Sequence, residues 1–116
     1  MIHPLPCAPC LLVHEVDAME HRERRLLHGL RDVAEDRARG AFIWLHYPLV
    51  ALLSWSFLPS APEAVRPGVA LFALVHLGLH LRLRNAPAHE FHGVLSWSAI
   101  GGAALFGLFY LLTVFL

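Results

Sequence analysis

The chain has 116 residues, of which 57% are apolar and 16% charged, against about 25% charged in an ordinary soluble domain. Its nine basic residues, all arginine, balance nine acidic ones, and a net charge of zero gives no support to nucleic acid binding. This length and composition exclude a multidomain chain and indicate a single integral membrane domain spanning residues 1–116.

The first predicted helix runs from about residue 9 to residue 30. Pro9 lies in its opening turn, where proline is tolerated because that N–H has no partner within the helix. Only the first part of this helix is apolar, so we expect a short polar helix held inside a bundle. Residues 22–40 overlap its end and form a charged connector of mixed sign, which is typical of a solvated segment.

Three apolar segments follow and predict helices at about 41–58, 67–83 and 93–116. The last of these has no charged residue and is long enough to cross a bilayer. The sequence therefore predicts an all-α membrane protein, a four-transmembrane-helix up-and-down bundle with a short polar first helix, in contact with the lipid bilayer.

The arginines predict the orientation of this bundle. Eight of the nine lie in residues 22–40 and 82–92, and only Arg66 lies in the opposite loops. Because positively charged loops stay in the cytoplasm, both termini are expected outside it.

Histidines and carboxylates mark a candidate site in the inner half of the bundle. His14 and Asp17 share one face of the first helix with His21, and helix rise brings His46 and His80 to about the depth of Asp17. Ionisable groups inside a membrane are costly and usually functional, and imidazole with carboxylate is a ligand set for zinc or non-haem iron. The predicted ligands of a divalent metal are His14, Asp17, His46 and His80.

Four further residues are candidates for supporting roles. Glu15 and His21 are the candidate catalytic groups, and His76 and His92 are candidate additional ligands. Structural roles compete with these: His76 also fits a core histidine, and the His89–His92 pair fits a loop cap as well as two ligands.

The run His14-Glu15-x-Asp17-Ala18, followed by His46-x-Pro48 and a histidine-bearing third helix, resembles small bacterial four-helix membrane proteins with an H-E-x-D-A signature, a family of unknown function. It is also distantly similar to HXXEE-type membrane proteins, although Asp17 and Ala18 replace the paired glutamates. The resemblance implies a four-helix fold in the bacterial inner membrane and importance for the residues His14, Glu15, Asp17 and His46.

Three functions are compatible with these patterns. The first is a membrane metalloenzyme that acts on a lipophilic or small substrate by hydrolysis or oxidation. The second is an electron carrier whose haem is held by two histidines such as His46 and His80. The third is a non-enzymatic subunit or permease. For any of them, the stripe of Ala99, Ala103 and Gly107 on the last helix predicts close helix contact and a possible homo-oligomer.

Overall fold

The chain is described by a computed structural model over residues 7–20, 32–87 and 89–116, with only the backbone at positions 19 and 20. These residues form four helices and no strand: α1 (Cys7–Glu20), α2 (Glu35–Trp55), α3 (Val65–Leu83) and α4 (Val94–Phe115). The prediction of an all-α fold with four helices is confirmed. The part of the first predicted helix beyond residue 20 lies outside the described residues.

Helix α2 begins at Glu35, whereas the sequence placed its start near residue 41. The charged end of the connector continues the helix rather than preceding it. Glu35 and Asp36 lie in the first turn, where carboxylates interact favourably with the positive end of the helix dipole.

Each helix buries one stripe of residues at helical spacing, which is what directs the histidines inward. On α1 the buried stripe includes Cys7, Leu11, His14 and Ala18. On α3 it includes Val69, Ala73 and His80, and His76 continues the same face. The candidate ligands therefore lie on the packing surfaces of their helices.

Helix α4 is the centre of the packing, since it lies against both α1 and α3. Gly107 of α4 faces the backbone of α3 so closely that a Cβ atom there would lie 2.8 Å from the carbonyl oxygen of Ala70. Ala99 and Ala103 are buried on the same side. The small residues thus serve a contact within the chain, and the homo-oligomer stays a prediction.

The two cysteines also belong to this packing. Cys7 and Cys10 are both free thiols. Cys7 is part of a buried apolar cluster with Leu11 and Ala103, and Cys10 packs against it. Cys7 and Cys10 are three residues apart, so they lie on adjacent turns of α1 and share the face that packs in the core.

Arg66 closes the turn between α2 and α3. Its guanidinium donates hydrogen bonds to the carbonyl oxygens of Ser56 (3.1 Å) and Leu58 (3.0 Å). These carbonyls follow the end of α2, where a cation is favourable because the last carbonyls lack helical partners. Arg66 is buried, and its guanidinium stabilises this turn through these two hydrogen bonds.

Within the described residues, Val94–Phe115 is the one helix both long and apolar enough to cross a membrane. α1 has only 14 residues, α2 starts with a charged turn, and α3 carries two arginines and two histidines. By length and composition alone, one span is supported and the other three are not.

We expect Gly107→Ala to lower the free energy of unfolding by about 1–3 kcal/mol, because the new methyl group meets the rigid backbone of α3. Gly101→Ala is the matched control on the same helix, since a Cβ there meets nothing within 4 Å. It should be neutral or stabilising by about 0.5–1 kcal/mol through helix propensity. Thermal unfolding followed by circular dichroism measures both; equal effects of the two substitutions would contradict the close contact.

Candidate metal centre

Three imidazoles meet between α1 and α3. Nε2 of His76 lies 2.7 Å from Nε2 of His14 and 3.2 Å from Nε2 of His80. One ring nitrogen from each residue falls within 4.8 Å of the others. His14 and His80 are fully buried, and His76 is partly buried. We call these three residues the histidine cluster.

Helix geometry explains why the cluster forms. His76 and His80 are four residues apart on α3, so they lie one above the other on the same face. Their rings make an edge contact with centroids 4.8 Å apart. His14 approaches from α1 and makes edge contacts with both, at 4.7 and 5.0 Å. Two helices therefore suffice to bring three nitrogen donors together.

The protonation chemistry of the cluster favours a cation. An imidazole Nε2 carries either one hydrogen or one lone pair, so it is a donor or an acceptor but not both. Nε2 of His76 lies within hydrogen-bond distance of two other Nε2 atoms and can make a proper hydrogen bond to only one of them in a given tautomer. A metal ion would accept all three lone pairs at once. The cluster can thus hold a metal ion.

The loop between α3 and α4 covers the histidine cluster. Phe91, fully buried in the loop that precedes α4, lies with its ring centroid 4.7 Å from that of His80 and 5.4 Å from that of His14. His89, also buried, brings its Nε2 to 3.2 Å from Nδ1 of His80. Because both residues come from one short loop, that loop shields the cluster from water and contacts it directly.

A second polar contact links α1 to α2. Nε2 of His46 lies 2.5 Å from Oε2 of Glu15, and Nδ1 of His46 lies 2.6 Å from the carbonyl oxygen of Phe42. A carbonyl only accepts, so the hydrogen bond requires that Nδ1 carry a proton. The other ring nitrogen, Nε2, then faces the Glu15 carboxylate. This pair has the chemistry of a proton donor and acceptor.

The predicted ligands divide between these two arrangements. The structure brings His14 and His80 together and adds His76, which was predicted only as an additional ligand. It brings His46 to Glu15 instead. Asp17 is buried on α1, and its role as a ligand stays a prediction.

The remaining two candidates are His92 and His21. His92 is exposed, with its ring centroid 5.4 Å from that of His89. His21 lies outside the described residues. The role of each stays a prediction.

The sequence left His89 open between a loop cap and a ligand and did not single out Phe91 as part of the site. The H-x-x-H spacing of His89 and His92 was the available signal, but it gives no information on which of the two imidazoles turns inward. In the structure it is His89, whose backbone N–H donates to the carbonyl oxygen of Ala86 at 3.0 Å and so folds the loop back toward α3.

The described residues thus define a class: an all-helical protein with a histidine cluster able to hold a metal ion. The family model DUF6713, a family of unknown function, matches residues 5–116, and the chain belongs to this family. This agrees with the predicted membership of an uncharacterised family, whereas the similarity to HXXEE-type proteins stays a prediction. No curated protein and no solved structure matches the chain.

We expect the Glu15–His46 contact to contribute to stability. Glu15→Gln and His46→Asn should each lower the free energy of unfolding by about 1–3 kcal/mol, since each leaves a polar partner in a mostly buried position. The loss of unfolding free energy in the double variant should be smaller than the sum of the two single losses by about 1 kcal/mol. Chemical denaturation of the four proteins of this double-mutant cycle measures the difference.

The control for this cycle pairs His46→Asn with Glu63→Gln, because Glu63 is an exposed carboxylate of the α2–α3 loop. The effects of that pair should add. Additivity of the Glu15 and His46 substitutions as well would show that the two side chains do not interact.

Proposed function

We propose that this chain is an integral membrane protein that binds a divalent metal ion, zinc or iron, at His14, His76 and His80, and that it is a metal-dependent enzyme acting on a lipophilic or small substrate. The observation that carries this proposal is the convergence of three Nε2 atoms from two helices in a mostly buried site. Imidazole is a favoured ligand of both metals.

The distances between the three imidazole nitrogens support a single metal ion rather than haem. At metal–nitrogen distances of 2.0–2.1 Å, tetrahedral ligands lie about 3.3 Å apart. Two of the three observed separations, 2.7 and 3.2 Å, are close to this value, and all three nitrogens lie within 4.8 Å of one another. Haem fits less well, because its axial nitrogens lie about 4 Å apart on opposite faces of a wide macrocycle. Rings in mutual edge contact leave no slot for that plane.

The number of ligands supports an enzyme. Structural zinc sites are usually closed by four protein ligands, whereas catalytic sites have three and leave a position for water or substrate. A metal with an open position acts as a Lewis acid and activates a bound water molecule. Glu15 and His46 supply a carboxylate and an imidazole on neighbouring helices, which suits them to accept or donate a proton in such a reaction.

The exterior of the bundle supports a membrane location. Large apolar side chains are exposed on every helix, for example Val16 (75%), Trp44 (73%), Val75 (63%) and Phe109 (66%). Soluble monomers rarely expose contiguous apolar patches of this kind. In lipid the same side chains face an apolar solvent, and the costly ionisable groups are those that turn inward.

Helix lengths are compatible with three spans packed around α1. Helices α2, α3 and α4 have 21, 19 and 22 residues, close to the ~20 that cross a bilayer. The two arginines of α3 lie near its ends: Arg66 is bound within the α2–α3 turn, and the exposed Arg82 can reach the interface. Helix α1 contributes its buried stripe and completes the four-helix bundle.

We expect the purified protein to contain about one zinc or iron ion per chain. His76→Ala and His80→Ala should each abolish stoichiometric metal, because two nitrogens hold an ion too weakly for it to survive purification. His46→Ala should retain the metal, since His46 contacts Glu15 rather than the cluster. Elemental analysis by mass spectrometry measures all four proteins.

Two further results bear on this proposal. A wild-type protein without stoichiometric metal, or loss of metal in His46→Ala but not in His76→Ala, would overturn the three-histidine site.

The proposed enzymatic role predicts an open coordination position on the metal. The visible spectrum of the cobalt-substituted protein should therefore change on addition of azide, because azide fills that position. A spectrum indifferent to azide would indicate a closed, structural site.

The membrane location predicts that the expressed protein stays in the membrane fraction after alkaline carbonate washing and is released by detergent. Peripheral proteins are released by carbonate because it removes their electrostatic contacts. Recovery of the chain in the soluble fraction would contradict the proposal, whatever the metal content.

A further inference from the structure

We infer that His89 is a positioning residue for the metal site: it accepts a hydrogen bond from Nδ1 of His80 and so fixes the orientation and tautomer of that ligand. This inference rests on the proposed metal site and adds to it a residue that makes no bond to the metal. It is carried by the contact of 3.2 Å between Nε2 of His89 and Nδ1 of His80.

The two nitrogens of His80 have different neighbours. Its Nε2 faces His76 inside the cluster, and its Nδ1 faces His89 on the opposite edge of the ring. When Nε2 binds a metal, a neutral imidazole must carry its proton on Nδ1. That proton then points at His89, so Nε2 of His89 must offer its lone pair and Nδ1 of His89 carries the hydrogen.

Metal-bound histidines generally donate their second N–H to an acceptor, which holds the ring and raises its basicity. A carboxylate or a backbone carbonyl is the usual acceptor. Here the acceptor is a neutral imidazole, which is suited to a low-dielectric site because it adds no charge whose desolvation must be offset. His89 therefore supports the ligand without changing the net charge of the centre.

The surroundings of His89 hold it in place. It is 2% exposed, and its ring packs at a centroid distance of 5.4 Å from Phe91 and 6.0 Å from Trp97. Its backbone N–H is bound to Ala86. A side chain confined by rings and by its own backbone can fix the orientation of a neighbour, whereas the exposed His92 in the same loop cannot.

Two substitutions separate the hydrogen bond from the packing. His89→Phe keeps a ring of similar size and removes the acceptor. His89→Gln loses the ring but keeps an oxygen that can accept from Nδ1 of His80. Loss of such an outer acceptor typically costs 10–100-fold in metal affinity. We therefore expect the affinity of His89→Phe to fall by about 10–100-fold, and that of His89→Gln to stay closer to the wild-type value.

The affinity is measured on the full-length protein in detergent by titration with zinc against a chromophoric chelator. Asn85→Ala is the matched control at an exposed position of the same loop and should leave the affinity unchanged. The visible spectrum of the cobalt-substituted proteins is the second readout: its intensity should report the same number of ligands in all variants, because His89 does not bind the metal.

The outcomes are distinguishable. Wild-type protein that does not bind zinc overturns the proposed metal site and the inference with it. Wild-type binding with equal affinities in all variants, or His89→Phe binding more tightly than His89→Gln, overturns the inference alone and leaves the three ligands in place. Loss of one ligand in the cobalt spectrum of His89→Phe also overturns it, because His89 would then be a ligand itself.

A measurement on the unmutated protein covers the case in which both variants fail to fold. In the zinc-bound protein with ¹⁵N-labelled histidine, the nitrogen shifts should show His89 with its hydrogen on Nδ1 and His80 with its hydrogen on Nδ1. A hydrogen on Nε2 of His89 would overturn the inference, since that nitrogen could not then accept.

Discussion

Three imidazole nitrogens that point at one another inside the bundle set the strongest constraint on this structure. Polar atoms buried without satisfaction cost free energy, so the nitrogens of His14, His76 and His80 must be satisfied by one another or by a common cation. Either arrangement requires that α1 and α3 keep a fixed separation and a fixed rotation about their helix axes. The short polar α1 therefore belongs inside the bundle, since only there does its buried stripe meet α3.

That fixed geometry depends on α4, which contains no histidine, arginine or acidic residue. Its small residues let it approach α3 until Gly107 lies against the backbone at Ala70, and it packs against α1 as well. The close backbone contact of α4 positions the two helices that bear the histidine cluster, and its buried face is formed mainly by small and apolar residues. The close packing of α4 thereby fixes the relative positions of the histidines on α1 and α3.

The sequence was sufficient for the helix number and for the inward direction of His14, His76 and His80, because hydrophobic periodicity and the cost of buried charge depend on local spacing. It was insufficient for choosing among partners on different helices. Depth alone placed His46 level with His80, but depth carries no information on rotation about the helix axis, and His46 turns toward Glu15. The loop was the least predictable part. His89 turns inward and His92 outward because of backbone turns at Ala86 and Glu90, which no periodic pattern encodes.

The position of the loop also bears on where the site meets its surroundings. His89 contacts the cluster on one side, and its other ring neighbours, His92 and Trp97, line an open pocket together with Leu81, Arg84 and Asn85. A group of polar side chains thus lies at the end of the bundle where α3 stops and α4 begins. Most of the exposed side chains along the rest of α3 and α4 are apolar. A substrate with one polar end and one apolar end would match both surfaces, its polar end beside the histidines and its apolar part along the helices. This division of surfaces, rather than the metal ligands themselves, is the basis for proposing a lipophilic substrate over a fully water-soluble one.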